Sequence, residues 1–250
     1  MFVRFTKGDV TSYGVLNGDN IKKIQGDLFT GDYKITEETL QRKEVRLLAP
    51  CKPSKVICVG LNYKDHAKEV ELPLPKAPLL FLKPPTSVVG PNNEVYYPEQ
   101  SGQVDYEAEL AIVIGKEAKN ISEENANDYI LGYTCANDVT ARDIQFGDGQ
   151  WTRGKSFDTF CPIGPGIVKE VDLENAKVEL YVDGENKQRS TLDQLIFKVP
   201  HLVSYISQHM TLMPGDIILT GTPHGIGPVE KGSTMTVKVE GIGELANKLV

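Results

Sequence analysis

Helix-breaking residues constrain this chain more than any other feature: 23 glycines and 15 prolines are spread along 250 residues. Glycine costs a helix interior backbone entropy, and proline removes a hydrogen bond and clashes with the preceding turn. That density excludes a helical bundle. Between the breakers lie short runs rich in Val, Ile or Leu, at 55–59, 79–82, 110–114, 178–182, 217–219 and 234–239. Most are bounded by Gly, Pro, Asn or Asp, and they read as strands. Helical spacing is confined to three places. Ser122 caps a predicted short helix through Tyr129. Pro200 opens a second in HLVSYISQHMTL, which Pro214-Gly215 stops. Residues 62–71 form a third. The predicted fold class is α+β and strand-rich, with a few helices.

Residues 1–50 read as a small N-terminal β-rich unit of short strands and glycine-containing turns. The segment RLLAPCKPSK, with Pro50 and Pro53, reads as a linker to a larger domain over 51–250. Neither an internal repeat nor a low-complexity tract is visible.

The chain has 27 Lys and Arg against 34 Asp and Glu, a net charge of −7, without a basic tract. This balance argues against nucleic acid and anionic membranes as partners. An anionic substrate would need local cations or a metal to overcome the global sign. The four cysteines, 51, 58, 135 and 161, form no CxxC pair and follow no secretory start. They read as free thiols in a reducing cytoplasm. No apolar run approaches the roughly 18 residues of a membrane span. A GxxxxGK[ST] loop, HExxH and GxSxG are absent, and Gly164-Pro165-Gly166 lacks the rest of a dinucleotide fingerprint. His201 and His209 flank a helix without a third ligand, a weak zinc signal.

The most informative stretch is DYEAELAIVIG, 105–115. Strand alternation puts Asp105, Glu107 and Glu109 on one face and Tyr106, Ala108 and Leu110 on the other. The strand runs straight into an apolar segment, so its acidic end lies next to the core. Adjacent carboxylates there repel and are costly to desolvate, a conflict that a hard divalent cation resolves. The plain alternative is an exposed edge strand with solvated acids. In YTCANDVTARDIQ, Asp138, Arg142 and Gln145 have the spacing of one helix face. An ordinary Asp–Arg helix pair has the same spacing. Arg153 and Lys155 lie in a glycine-containing loop, which reads equally as a solvated basic loop. Thr220-Gly221-Thr222 could offer amides and hydroxyls to an anion, or be a simple turn. In GLNYKDHAKEVELPLPK, Asn62 is a candidate cap for a short helix. His66 and Glu69 then share a face at i, i+3. Gly60, Pro73 and Pro75 at the flanks suggest hinges of a lid, and an ordinary surface helix fits the same residues.

Taken in order, GLNYKDHAKE, LFLKP, VDYEAELAIVIG, NDVTARDIQ, GKSFDTFCPIGP and LTGTPHGIG resemble the fumarylacetoacetate hydrolase family over roughly residues 55–228. The resemblance implies a β-roll with a mixed sheet and peripheral helices, a homodimer, and a divalent metal in the mouth. The family's metal carboxylates fall on Glu107, Glu109 and Asp138. Its substrate-polarising residues fall on Arg142, Gln145, Lys155 and Thr222, and Lys83 matches a further active-site lysine. Short members carry a His–Glu dyad where this chain has His66 and Glu69. The N-terminal unit is far smaller than that of fumarylacetoacetate hydrolase proper. The match is therefore to the short branch of acylpyruvate hydrolases, oxaloacetate decarboxylases and isomerases of aromatic degradation.

For such a member, Mg²⁺, with Mn²⁺ and Ca²⁺ as alternatives, chelates a small anionic 2-oxo acid and stabilises an enolate. Lys155, Arg142 and Gln145 hold the carboxylate and developing oxyanion. His66 with Glu69 activates water. The expected function is hydrolysis of acylpyruvate-type β-diketo acids, with oxaloacetate decarboxylation as an added activity. An isomerase or tautomerase of 2-hydroxy-dienoate diacids or oxaloacetate is the alternative. A non-catalytic metal-binding protein is a third, against which the intact base and lysine argue.

Overall fold

The computed structural model describes residues 1–250, and its frame is one large mixed sheet. In spatial order its main strands are Tyr33–Gln41, Asn20–Gly26, Val10–Asn17, Phe2–Lys7, Cys161–Val168, Ile130–Asn137, Ala108–Ile114, Ile217–Leu219, Val56–Gly60 and Leu79–Lys83. The six predicted strand runs all appear within it or in the second sheet described below. The N-terminal strands form an antiparallel meander that joins the body where Phe2 lies opposite Ile167. The segment after Leu47 is not a free linker: Ala49 and Cys51 are buried, and Arg4 Nη1 donates to the Ala49 carbonyl at 3.2 Å.

Ala108–Ile114 is buried along its whole length. Alternation explains how it serves two cores. Leu110, Ile112 and Ile114 enter the larger cluster, and Ala111 and Val113 enter a second cluster on the opposite face. The larger cluster is closed by a second sheet, Glu185–Thr191, Lys177–Val182, Thr234–Val239, Gly243–Leu249 and Glu94–Val95. Each fully buried Leu or Ile there is worth about 1.5–3 kcal/mol.

The helices are few and peripheral. Val199–His209 presents Val199, Leu202, Val203 and Ile206 to the larger cluster, an apolar stripe at helical spacing. Pro200 is its second residue, one position later than predicted. The helix expected after Ser122 is a 3₁₀ helix, Glu123–Tyr129, with no side-chain cap. Ser204 Oγ donates to the Ile121 carbonyl at 2.8 Å and fastens that region to the longer helix.

The topology decides where a site can form. Ile217–Leu219 runs parallel to Val56–Gly60 and antiparallel to Ala108–Ile114, which is antiparallel to Ile130–Asn137. Four chain segments therefore meet at one end of the sheet: those after Gly60, Leu219 and Asn137, and the one before Ala108. Side chains far apart in sequence converge there, as at the strand ends of other open sheets.

Candidate active site at the sheet end

The Ala108–Asn137 register sets Glu107 beside Asp138, and the Asp138 amide donates to the Glu107 carbonyl at 2.9 Å. Glu109 follows on the same face. One oxygen each from Glu107, Glu109 and Asp138 lies within 4.8 Å of the others, and all three residues are buried. The solvated edge strand is thereby excluded. Asp138 is not on a helix with Arg142 and Gln145. It follows the strand, and the helix begins at Arg142 (α2, Arg142–Asp148), so the predicted i, i+4 pair does not form.

Three buried cations balance this group. Arg142 donates from Nε to Asp105 at 2.7 Å, from Nη2 to Glu107 at 2.6 Å and from Nη1 to Gln145 Oε1 at 2.6 Å. Lys155 Nζ donates to Glu107 Oε2 and Asp138 Oδ2, each at 2.8 Å. Lys83 Nζ donates to Asp138 Oδ1 and, at 3.0 Å, to the Val139 carbonyl. Lys155 is thus no solvated loop residue. It ends the short helix Thr152–Lys155 (α3), while neighbouring Arg153 is exposed on Asp148. A Cβ at Gly154 would come within 2.8 Å of the Gln145 nitrogen and 2.9 Å of the Ala141 carbonyl, so glycine lets this helix pack against α2.

Four buried acids, Asp105, Glu107, Glu109 and Asp138, face these three cations. Glu109 has no cation partner; its Oε2 accepts the Gly221 amide at 2.6 Å. Burial, then the Asp138 and Glu107 charges, push its carboxyl well above the usual carboxylate range. Burial also acts on Glu107, but Lys155 and Arg142 outweigh it and bring that carboxyl down to about 2. A surplus of buried carboxylate, all with oxygen donors, suits a hard divalent cation. The residues present fit such an ion.

The Gly221 contact depends on glycine, because φ is +101° and a Cβ would lie 2.8 Å from Asn62 Cβ. This amide therefore serves a protein carboxylate, and Thr220 Oγ1 donates to the Leu110 carbonyl at 3.0 Å. Only Thr222 of that turn lines the cavity. Asn62 does not cap a helix. Its Nδ2 donates to the Phe197 and Thr220 carbonyls at 3.1 and 2.7 Å, and its Oδ1 accepts the Phe197 amide at 2.8 Å.

Over this floor stands a helix, Lys64–Glu69 (α1). His66 Nδ1 lies 2.8 Å from Glu69 Oε2, leaving Nε2 as the free ring nitrogen. Glu69 Oε1 accepts the Gly225 amide at 2.9 Å, tying the helix to the turn that carries Thr222. His66 lines a cavity of about 380 Å³ that Glu107, Glu109, Asp138, Arg142, Gln145, Lys155 and Thr222 also line. Lys83 does not line it and bears on Asp138 from behind.

Two features escaped the sequence. Gln188, fully buried on Glu185–Thr191, accepts the Ala108 amide at 2.8 Å and donates to Thr222 Oγ1 and the Pro223 carbonyl at 2.9 Å. Nothing in ENKQRST marks it. Asp105 was placed on the acidic face, but its ion pair with Arg142 rests on strand register. His201 and His209 share no site: their Nδ1 atoms meet Glu123 Oε1 and the Tyr205 carbonyl.

The comparisons with known proteins agree with this fold. The model for the fumarylacetoacetate (FAA) hydrolase C-terminal family matches residues 55–250, and that for an Rv2993c-like N-terminal family matches residues 1–50. The human mitochondrial oxaloacetate tautomerase FAHD2A is 46% identical over 224 residues, covering 84% of this chain and 71% of that protein. Among solved structures, 5-carboxymethyl-2-hydroxymuconate delta-isomerase of Mycobacterium smegmatis superposes with a TM-score of 0.94 at 43% identity, covering 100% of this chain and 98% of that one. Fumarylpyruvate hydrolase of Pseudomonas aeruginosa, solved with Mn²⁺ and pyruvate, gives 0.75 at 38% identity, with 86% and 92% covered. Matched over most of its length by sequence and by fold, the chain belongs to the fumarylacetoacetate hydrolase family.

Proposed function

We propose that this protein is a divalent-metal-dependent hydrolase that cleaves a C–C bond in acylpyruvate-type β-diketo acids. One observation carries the reading: His66, held by Glu69 at Nδ1, and Lys155 line the same cavity as the carboxylates Glu107, Glu109 and Asp138. Those carboxylates would hold Mg²⁺, with Mn²⁺ and Ca²⁺ as alternatives; Mn²⁺ accompanies pyruvate in the fumarylpyruvate hydrolase. When bound, the cation supplies Lewis acidity toward the carboxylate and 2-oxo oxygens of a 2-oxo acid. Lys155, Arg142, Gln145 and Thr222 hold the substrate carboxylate and the negative charge that develops beside it. Lys83 steadies Asp138. His66, oriented by Glu69, takes a proton from water at Nε2 as the water oxygen adds to the distal carbonyl carbon. The bond from that carbon to the neighbouring CH₂ then breaks, its electron pair leaves on the pyruvate enolate, and the proton on His66 passes to the enolate carbon. One water is consumed, and pyruvate and a carboxylic acid are formed. We assign all of this to residues 51–250, which hold every residue named.

A second reading, isomerisation or tautomerisation of 2-hydroxy-dienoate diacids or oxaloacetate, draws support from the tautomerase and isomerase relatives. There His66 would move a proton with no bond cleaved. Oxaloacetate decarboxylation is a third outcome of the same residues. A panel of acylpyruvates and 2-oxo diacids, assayed with Mg²⁺ or Mn²⁺ and resolved by mass spectrometry, separates them. Cleavage yields pyruvate plus an acid, decarboxylation yields CO₂, and tautomerisation conserves mass. Full activity after exhaustive chelation, or no turnover of any member, would sink the proposal.

We also propose a homodimer. Leu79–Lys83 is an open edge of the main sheet and exposes Leu82, the kind of edge that a second chain covers. Four free thiols suit a cytoplasmic setting.

A further inference from the structure

The cavity is chemically divided. Its floor carries all the acids and both lining cations other than histidine, Arg142 and Lys155, each committed to floor carboxylates. Its outer wall is Val70, Leu72, Leu79, Phe146, Trp151 and Ile226, apolar without exception. Phe146 is 75% exposed and Leu72 54%, so this wall opens to solvent rather than closing a core. The only titratable group between floor and wall is His66, whose Nδ1 is taken up by Glu69. At about 30 Å³ for each water-sized group, 380 Å³ holds about a dozen. A 2-oxo acid head seated on the floor leaves a substantial part of that volume for whatever projects outward.

We infer that the outer wall selects a monoanionic 2-oxo acid bearing an apolar acyl tail and disfavours dicarboxylates. This rests on the reading of the floor as a 2-oxo acid site. A second carboxylate extending from the head would lose water against leucine, phenylalanine and tryptophan and meet no uncommitted cation. An alkyl tail in the same place would gain the transfer free energy of every methylene removed from water, worth roughly fourfold in affinity each. The wall therefore discriminates both by attraction and by rejection.

Calorimetry on the Mn²⁺-loaded protein reads this without any turnover. The probes are 2-oxooctanoate, which has the head and an alkyl tail, and 2-oxoadipate, which has the same head and a terminal carboxylate. Neither carries the second carbonyl that hydrolysis needs. The expected result is 2-oxooctanoate binding at least tenfold more tightly, with Leu72→Lys narrowing or reversing the ratio; Leu72 sits on the exposed rim, so that variant folds. In parallel, kcat/KM should rise roughly fourfold per added methylene from acetylpyruvate to hexanoylpyruvate. Equal or tighter binding of 2-oxoadipate overturns the inference, as does failure of both acids to bind the loaded protein. Preferential binding of 2-oxooctanoate with no acylpyruvate cleaved would uphold the selectivity and remove the hydrolase reading alone.

Discussion

Glu109 is the least compensated charge on the cavity floor, and two residues there illustrate how function and stability oppose each other. Its carboxyl is buried among other acids with a single amide donor. Glu109→Gln keeps the shape and removes a carboxyl that burial and the neighbouring acids hold against ionisation. The metal-free variant should therefore be at least as stable as the parent, because an unpaired buried carboxylate is costly. It should also lose the metal-dependent rise in Tm, which for the parent corresponds to about 2.7 kcal/mol at a hundred times Kd. Thermal melts with and without Mn²⁺ check both halves, and an unchanged metal response would remove Glu109 from the ligand set. Lys155 behaves in the opposite way. It is 2% exposed and bridges Glu107 to Asp138. Burial would lower its pKa, but those two carboxylates raise it, so the ammonium persists at any physiological pH. Lys155→Met should cost stability, about 3–5 kcal/mol for a broken buried pair. In protein still folded, it should also lower kcat by roughly 10²–10³. Unchanged kcat/KM would make the lysine purely structural.

At the scale of elements, α1 deserves its own test because six residues do not make a stable helix alone. It is held from outside: Glu69 takes the Gly225 amide, and Asp65 Oδ2 accepts the Ser190 hydroxyl. Asn62 anchors the preceding turn. The His66 ring is therefore positioned by contacts from three distant segments. His66→Ala should lower acylpyruvate hydrolysis by roughly 10²–10⁴ and oxaloacetate decarboxylation less, since only hydrolysis needs activated water. Glu69→Gln should do the same more mildly, because an amide oxygen turned to Nδ1 keeps that hydrogen bond but leaves the ring a weaker base. Both activities measured on both variants give the answer, and equal losses would place the pair before the reactions diverge. The helix was legible from KDHAKE, but its cap was not. Asn62 has the right residue type, yet its side chain satisfies buried carbonyls of two other segments. Tertiary hydrogen bonds outweighed the local preference.

For the whole molecule, close packing on both faces of the main sheet has consequences that can be measured. All four cysteines are buried and free. Burial pushes all four thiols up, Cys135 and Cys161 to about 12. A raised thiol pKa leaves the reactive thiolate nearly absent below that value. Native protein at pH 8 should therefore resist a thiol reagent, and denatured protein should take up four labels by intact mass. One fast-reacting thiol in the native state would contradict the packing. The proposed dimer is checked by sedimentation: Leu82→Lys puts a charge on the open sheet edge and should shift the chain toward monomer. A monomeric parent would dispose of that assembly.

Strand alternation over 105–115 and the run of apolar segments between Gly and Pro were sufficient to place the carboxylate face and the strand-rich fold, because both depend on local periodicity. The spacing of His66 and Glu69 was likewise enough to pair them. The partners of those residues were not local. Asp105 with Arg142, Lys155 with Glu107 and Asp138, and Gln188 with Thr222 lie 37, 48, 17 and 34 residues apart. Each depends on register between strands that adjacent residues do not encode. The same holds for Asp138, whose helical spacing to Arg142 was overridden by the strand it follows. The division of the cavity into an acidic floor and an apolar wall arises only when four strand ends and α1 are brought to one edge of the sheet. Sequence determined which groups could do chemistry; the parallel and antiparallel pairing of the sheet decided which of them meet, because pairing fixes distances that spacing along the chain leaves open.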